Sequence, residues 1–346
     1  MKLKHFIKAL ETHQADFFLI NTQPMLRYVS SFSGTEGVVV IFNDKLVGFF
    51  DTRYALQVQQ ECKFDELYLF EDKTIVLSEV AKYTDCLRGC FDANTTSMLQ
   101  SNLYSSLFKD VVYVDTTDFR AQKTDDEIKI MKEGIALADK ILDETIPLIQ
   151  VGMKENEVVG LLYQTMIRHD IKHFSFNTIV ASGKRSAFPH GVASSKIIET
   201  NDIITIDYGI IYQGYCTDMT RTFFIGEKDK KLVDIYHVVL QANELAIKAC
   251  KPGVSGETID RVARDYIASQ GYGAYFIHGT GHGLGLDIHE APYVRPGAKK
   301  LLEVGNVVTI EPGIYIEGLG GVRIEDVVLI THNGAEVLTK SPKTLK

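Results

Sequence analysis

No apolar run in the 346 residues approaches the ~20 that a membrane-spanning helix needs; the densest, Val38 to Phe42, has five. Lys2, Lys4 and Lys8 stand near the amino terminus, but Glu11, His13, Gln14 and Asp16 interrupt any signal-peptide core, so a cytoplasmic address and no membrane are expected. Positive charge is in deficit, with 37 Lys and Arg against 45 Asp and Glu for a net charge of −8. Nucleic acid is therefore an unsuitable partner, since each phosphate contact needs a basic side chain. The five cysteines (Cys62, Cys86, Cys90, Cys216, Cys250) are odd in number and form no CxxC pair, which predicts reduced thiols rather than a disulfide framework or a thiolate zinc site. A GxGxxG dinucleotide fingerprint is missing too. What remains is ordinary globular composition, 45% hydrophobic and 24% charged, with enough chain for about two domains.

Glycine and histidine divide the chain. Residues 1–120 hold only 4 of the 27 glycines and 2 of the 10 histidines. Within them Phe17–Ile20, Gly37–Phe42, Leu46–Phe50, Leu67–Phe70 and Val111–Val114 read as buried strands, with helices over Tyr54–Glu61 and Thr74–Tyr83. The expectation is an α/β domain with a mixed sheet over 1–120, a linker at Thr116–Lys123, and a second domain over 124–346. Thr124 and Glu127 form a capping box, and Ile128, Met131, Ile135, Ala138, Ile141 and Leu142 follow at helical spacing.

The second domain contains its own pattern twice. Helices over 124–149 and 154–169, a strand from Phe176 and a hairpin make one half; helices over 229–250 and 255–269, a segment from Phe276 and a hairpin make the other. Gly152 and Gly253, Phe176 and Phe276, and His190 and His289 recur 101, 100 and 99 residues apart. A pseudo-twofold α+β arrangement with a site between its halves is expected.

Each hairpin carries two carboxylates among apolar residues. A turn near Tyr212–Gly214 makes Asp207 and Asp218 direct cross-strand partners if centred on 212–213, or diagonal partners if centred on 213–214; both options keep them on one face, ~4.5–8 Å apart. Glu311 and Glu325 lie on the neighbouring strands of the second hairpin, with a bulge expected at Pro312-Gly313. Between the hairpins, His278, His282 and His289 share a glycine-rich segment. Four carboxylates and one imidazole (Asp207, Asp218, His282, Glu311, Glu325) balance two divalent cations. Such oxygen-rich ligation suits Mn²⁺ first, with Co²⁺ or Zn²⁺ as alternatives. Two such ions polarise a carbonyl and activate a hydroxide, the apparatus of hydrolysis.

The motifs Ile206-Asp-Tyr-Gly, Cys216-Thr-Asp-Met-Thr-Arg, His278-Gly-Thr-Gly-His-Gly, Glu311-Pro-Gly and Arg323-Ile-Glu-Asp resemble those of the pita-bread metallopeptidases. Ala187-Phe-Pro-His-Gly and Asp287-Ile-His-Glu-Ala-Pro bring the resemblance closest to the Xaa-Pro peptidases, aminopeptidase P and prolidase. It runs over about 125–335, and a weaker one, to the creatinase-like amino-terminal domain, rests on Leu26-Arg-Tyr-Val-Ser-Ser-Phe-Ser-Gly and Asp51-Thr-Arg-Tyr. It implies that Asp207, Asp218 and Glu325 bind one metal, and that Asp218, His282, Glu311 and Glu325 bind the other. It further implies that His190 and His289 face the substrate and stabilise the oxyanion, that Glu311 shuttles the proton, and that Arg323 and Tyr215 support the carboxylates. The implied enzyme is a homodimeric, cytoplasmic Xaa-Pro aminopeptidase acting on proline-containing peptides, with the dipeptidase prolidase as the alternative. A metal-free peptide- or protein-binding module on the same fold is a remoter reading. Arg295, in the turn Tyr293-Val-Arg-Pro-Gly, is expected to be a solvent-exposed loop residue, and a dipeptidase would need such a cation for the proline carboxylate.

Overall fold

The computed structural model describes residues 2–344. The chain forms two compact units, Met1–Arg120 and Ala121–Lys346. In the first, α1 (Lys4–His13), β1 (Phe17–Ile20), α2 (Gln23–Ser30), β2 (Val38–Ile41), β3 (Leu46–Asp51), α3 (Ala55–Glu61), β4 (Glu66–Phe70), α4 (Val76–Tyr83), β5 (Arg88–Asp92), α5 (Met98–Leu107) and β6 (Asp110–Val114) follow in order. Six strands form one mixed sheet in the order β4-β3-β2-β1-β5-β6. Phe17, Phe49, Phe91, Tyr104 and Phe108 fill one core on it. The sequence reading lacks β5, whose Arg-Gly-Cys-Phe-Asp offers only two adjacent apolar residues. Pairing with β1 on one side and β6 on the other nevertheless buries all but its first residue. Cys90 lies buried in this strand, and the exposed Cys86 precedes it.

The second unit opens with α6 (Asp125–Thr145), whose capping box forms as expected: Thr124 Oγ1 accepts from the Glu127 amide and Glu127 accepts from the Thr124 amide. Then come α7 (Glu155–Arg168), β7 (Ile179–Ser182), β8 (Ile203–Tyr208), β9 (Ile211–Tyr212), β10 (Tyr215–Cys216) and β11 (Met219–Phe224). The strand expected from Phe176 begins only at Ile179. The second half repeats the plan with α8 (Lys230–Ala249), α9 (Gly256–Ser269), β12 (Gly281–Gly283), β13 (Glu290–Val294), β14 (Val307–Ile310), β15 (Gly313–Ile316), β16 (Gly320–Arg323), β17 (Asp326–Thr331) and β18 (Gly334–Val337).

Each half packs its helix pair against its own strands. Leu142, Val158, Leu162 and Met166 meet Ile204, Ile206 and Phe223, while Ile235, Val239, Ile259 and Ala263 meet Val308, Ile310, Val322 and Val328. The sheets are β11-β8-β7 in the first half and β13-β12-β14-β17-β18 in the second, with the ribbons β9–β10 and β15–β16 extending the two hairpins. Gly152 and Gly253, one before each second helix, both adopt positive φ (95° and 80°), a conformation that costs glycine nothing.

Candidate metal centre and cavity

Both hairpins open where their carboxylates stand. In the first, Asp207 pairs with Thr220 and Tyr212 pairs with Tyr215, so one register runs through and the turn centres on Gln213-Gly214. Asp207 and Asp218 are therefore diagonal, the second of the two expected options. The ladder is interrupted after Tyr208, where Gly209 lies against the Thr217 carbonyl so closely that a Cβ would come within 1.7 Å of it. In the second hairpin Ile310 pairs with Asp326 and Gly313 with Arg323. The register is again the same on both sides, so no residue is inserted and the expected bulge is absent. Instead the ladder gaps at Glu311 and Glu325: the Glu311 amide donates to Thr280 (2.7 Å) and the Glu325 amide to Thr220 (3.2 Å) of the first half's β11. Pro312, with no N–H to donate, sits in that gap.

These gaps turn four carboxylates into one buried cluster. Asp218, His282 and Glu325 each offer a ligand atom within 4.8 Å of the others. His282 Nε2 lies 3.3 Å from Glu311 Oε1 and 3.6 Å from Asp218 Oδ2, and its Nδ1 faces the Gly283 carbonyl at 3.1 Å. Burial, then the neighbouring carboxylates, push Asp218 and Glu325 well above the usual carboxylate range, and burial raises Asp207. Burial also works against Glu311, but its hydrogen bond with His282 holds it down to about 2. The His282 imidazole, though desolvated, is raised by that same bond. Asp207 Oδ1 and Glu325 Oε1 are buried and accept no hydrogen bond. Orphaned acceptors beside carboxylates that resist ionisation are what a divalent cation satisfies, so this donor set fits divalent metal ions.

Arg323 ties the cluster together. Its Nη2 meets Asp207 Oδ2 at 2.5 Å, its Nε donates to Thr220 Oγ1 at 3.1 Å, and Thr220 in turn donates to Glu325 Oε2 at 2.7 Å. Its Nη1 reaches both the Pro189 carbonyl (3.1 Å) and the Tyr315 hydroxyl (2.9 Å), and Tyr315 lies 2.8 Å from His278 Nε2. Burial pushes the Tyr315 phenol up to about 12, keeping it a donor. Tyr315 escaped the sequence reading, although the alternation Glu311, Gly313, Tyr315 puts the three on one face; a Cβ on Gly313 would fall 2.4 Å from the Tyr315 hydroxyl. Tyr215 goes elsewhere. It was expected beside the carboxylates, but its hydroxyl donates to Glu127 at the start of α6 (2.9 Å), because the β9–β10 ribbon carries it out of the cluster.

Above the cluster lies a cavity of about 650 Å³, floored by Asp207, Asp218, Glu311 and Glu325. Phe176, Ile179, His190 and Val192 line it from the first half, and His278, His282, His289 and Arg295 from the second. The repeat pair His190 and His289 thus meets at one cavity, and the His289 ring stands edge-on to His282 with 4.3 Å between centroids. The repeat pair of phenylalanines diverges, since Phe276 is buried in the core. Arg295 is exposed, as expected, yet it also borders the cavity with its guanidinium 4.4 Å from the Tyr293 ring centre.

Comparison with known proteins matches residues 129–332 to metallopeptidase family M24. The chain belongs to that family. Residues 2–122 match the creatinase/prolidase N-terminal domain, so the fold is a creatinase-type α/β domain followed by the pita-bread catalytic domain. The chain is 38% identical to the Xaa-Pro dipeptidase of Pyrococcus horikoshii over 99% of its own length and 98% of the relative's. Among solved structures it superposes on the Xaa-Pro dipeptidase from Bacillus anthracis with a TM-score of 0.95 and 39% identity, covering 99% and 98% of the two chains. It superposes on the X-Pro aminopeptidase from Thermotoga maritima with a TM-score of 0.90 and 35% identity, covering 98% and 99%. As an M24 metallopeptidase the chain is a hydrolase that uses divalent metal ions. Among the described residues no helix is long and apolar enough to cross a membrane.

Proposed function

We propose that the protein hydrolyses the peptide bond preceding proline, with Asp207, Asp218, His282, Glu311 and Glu325 holding two divalent cations. The observation that carries this reading is the single cavity in which a buried, cation-deficient carboxylate floor faces His190, His289 and Arg295. When bound there, the cations would polarise the scissile carbonyl and lower the pKa of water. Manganese is the first choice, because four carboxylates and one imidazole are a hard, oxygen-rich set.

The chain's own groups supply the rest. His289 and His190 donate toward the oxygen of the scissile carbonyl as charge develops on it; burial keeps His289 below the usual imidazole range, so it acts as a neutral N–H donor at neutral pH. Glu311 takes a proton on its carboxylate from the water that attacks the scissile carbonyl and passes it to the proline nitrogen as the C–N bond breaks; that nitrogen, being a tertiary amide nitrogen, carries no proton of its own. Arg323 holds Asp207 in place while Thr220 orients Glu325.

Arg295 bears on substrate length. A guanidinium at the border of the cavity, held against Tyr293, suits the free carboxylate of a substrate that ends in proline, and the relatives named Xaa-Pro dipeptidase support that choice. We therefore place dipeptides first. The aminopeptidase reading, in which the peptide runs on past proline, is supported by the exposure of Arg295 and by the likeness to the Thermotoga X-Pro aminopeptidase. A homodimer in a reducing cytoplasm completes the reading. That Cys62, Cys86, Cys90, Cys216 and Cys250 form no disulfide among the described residues supports the compartment, and the exposed Met98 and Leu99 of α5 support a subunit contact.

The test is hydrolysis of Xaa-Pro and Xaa-Pro-Yaa-Zaa peptides by metal-stripped enzyme with Mn²⁺, Co²⁺ or Zn²⁺ restored in turn. Mn²⁺ should restore activity, with dipeptides preferred and that preference abolished by Arg295→Ala. Full activity without a metal, or no cleavage before proline under any metal, would overturn the proposal.

A further inference from the structure

The second hairpin has two faces. Glu311, Arg323 and Glu325 line the cavity, while Ile310, Ile314 and Ile324 alternate with them and pack in the core with α8. The stripe that α8 lays on this far face holds Val239, Ala242 and Ala246, and in the middle of it the polar Asn243 is fully buried. A carboxamide in such surroundings needs a partner for each of its polar atoms. Its Nδ2 donates to the Ile310 carbonyl at 2.8 Å and lies 3.4 Å from the Ile324 carbonyl. These residues immediately precede Glu311 and Glu325, one on each side of the hairpin. The ladder is gapped at this level, and the Ile324 amide reaches the Pro312 carbonyl only at 3.4 Å. Asn243 is thus a clip across the gap, on the side away from the carboxylates.

The other end of the carboxamide is held as well. Asn243 Oδ1 accepts from Lys343 Nζ at 3.0 Å, and the same ammonium donates to Asp326 Oδ2 at 2.7 Å. With two carbonyls on one side and an ammonium on the other, only one orientation of the amide satisfies both. Asp326 Oδ1 accepts from Thr339 (2.8 Å) and from Arg221 (3.0 Å), and Arg221 also donates to the carbonyls of Glu325 and Ser341. The segment 339–343, which follows β18, is tied in turn to α6: the amides of Lys340 and Ser341 donate to the two oxygens of Asp139 at 2.7 and 2.8 Å. It forms a strap from a helix of the first half to a helix of the second.

We propose that Asn243 and Lys343 are positioning residues that set the separation of Glu311 and Glu325 for metal binding, Lys343 acting through the Asn243 carboxamide. This rests on the two-cation reading above and deepens it. Buried carboxylates that share a site repel one another, and a gapped ladder offers little to resist that repulsion. A clip anchored in α8 keeps the two strands at one spacing, so a cation binds without first drawing them together. Without the Lys343 ammonium, the carboxamide can turn its oxygen toward the carbonyls and the clip is lost. Asp326 is not orphaned by that change, because Arg221 and Thr339 still serve it.

The experiment measures Mn²⁺ affinity by calorimetry and, separately, the melting temperature in chelator, for the wild type and for substitutions at the two positions. Lys343→Met removes the ammonium from a partly exposed side chain, so the fold should survive it. It should weaken Mn²⁺ binding about tenfold, while Lys343→Arg, which keeps the charge and its donors, stays within about threefold of the wild type. Asn243→Ser, too short to span the gap, should weaken binding at least as much. Adding Lys343→Met to it should change the affinity by less than about twofold, since the two act as one unit. Wild-type affinity in Lys343→Met, Lys343→Arg as weak as Lys343→Met, or additive losses in the double variant would overturn the proposal. So would variants that melt lower in chelator yet bind Mn²⁺ as tightly as the wild type, the outcome of a merely structural role. A wild type that binds no divalent cation would instead strike the two-cation reading, and the positioning role would fall with it.

Discussion

In the first half of the catalytic unit, Glu155 on α7 is buried and accepts hydrogen bonds from the amides and hydroxyls of Ser182 and Ser194 and an ion pair from Arg185. In the second, Asp260 on α9 is buried and accepts from the amide and hydroxyl of Thr280 and from Arg264, which also reaches the Phe276 and His278 carbonyls. Each half thus anchors the loop that brings its histidines to the cavity with a carboxylate on its second helix. The carboxylates do not occupy corresponding positions: Glu155 is the first residue of α7, whereas Asp260 is the fifth of α9. The glycines before those helices do correspond, as do the gaps in the hairpin ladders. The backbone devices coincide between the halves, and the side-chain anchors differ. The carboxylates of the cluster follow suit. Two short aspartates sit diagonally on the first hairpin, while longer glutamates reach from opposite sides of the gap in the second.

If the two halves contribute equally to one centre, removing a ligand from either should have the same outcome. Asp218→Asn and Glu325→Gln should each empty the metal site and cost activity beyond the ~10–100-fold that losing a supporting partner costs, as read by elemental analysis and kcat. A variant that keeps both metals and its rate would break the equivalence. Next come the paired histidines. His190→Ala and His289→Ala should each lower kcat by ~10²–10³ with metals retained, the usual loss of an oxyanion donor. Unchanged kinetics in one of them would confine the donor role to the other half.

Stability should expose the shared charge more gently. Asp218 and Glu325, raised by burial and by like charge, keep protons in the metal-free folded state that the unfolded chain releases. Their unfavourable contribution is absent below the ordinary carboxylate pKa and grows as pH rises toward the raised values. Chelated protein should therefore melt lower at pH 8 than at pH 5. Metal-loaded protein should lack that decline. Equal slopes with and without metal would show that the carboxylates do not carry the strain. Smallest of all, Gly152→Ala and Gly253→Ala should each destabilise by ~1–2 kcal/mol in urea unfolding, since both have positive φ and neither has an atom within 4 Å of an added Cβ. A marked inequality would mean that the correspondence of these turns is only geometric.

The parts of the molecule that were legible beforehand are those in which one stretch of chain carries its own signal. The long amphipathic helices, the Thr124–Glu127 cap and the carboxylates set in Val/Ile runs all belong to that class. The register of the first hairpin stayed open between two alternatives because a turn such as Tyr-Gln-Gly admits two centres; positive φ at Gln213 and Gly214 accompanies the one adopted. The ladder gap at Glu311 was misread as a bulge because its cause is remote: the amides leave their own hairpin for Thr280 and Thr220. Tyr315 was missed for a similar reason, since it gains its partners only when His278 and Arg323 come together around it. The strand Arg88–Asp92 shows the same limit in the first unit, being a strand chiefly because of its neighbours.

The amide of Glu325 donates to Thr220, a residue made more than a hundred positions earlier. Synthesised from the amino terminus, the first hairpin and both aspartates emerge before Arg323, which pairs with Asp207, and before the Glu325 amide that donates to Thr220. At ~5–20 residues per second, roughly five to twenty seconds separate the emergence of Asp218 from that of Glu325. Over that interval the chain holds only part of the carboxylate cluster. The last strands to be made close the gap and complete the cluster together, so the nascent chain is not a peptidase until it is nearly whole.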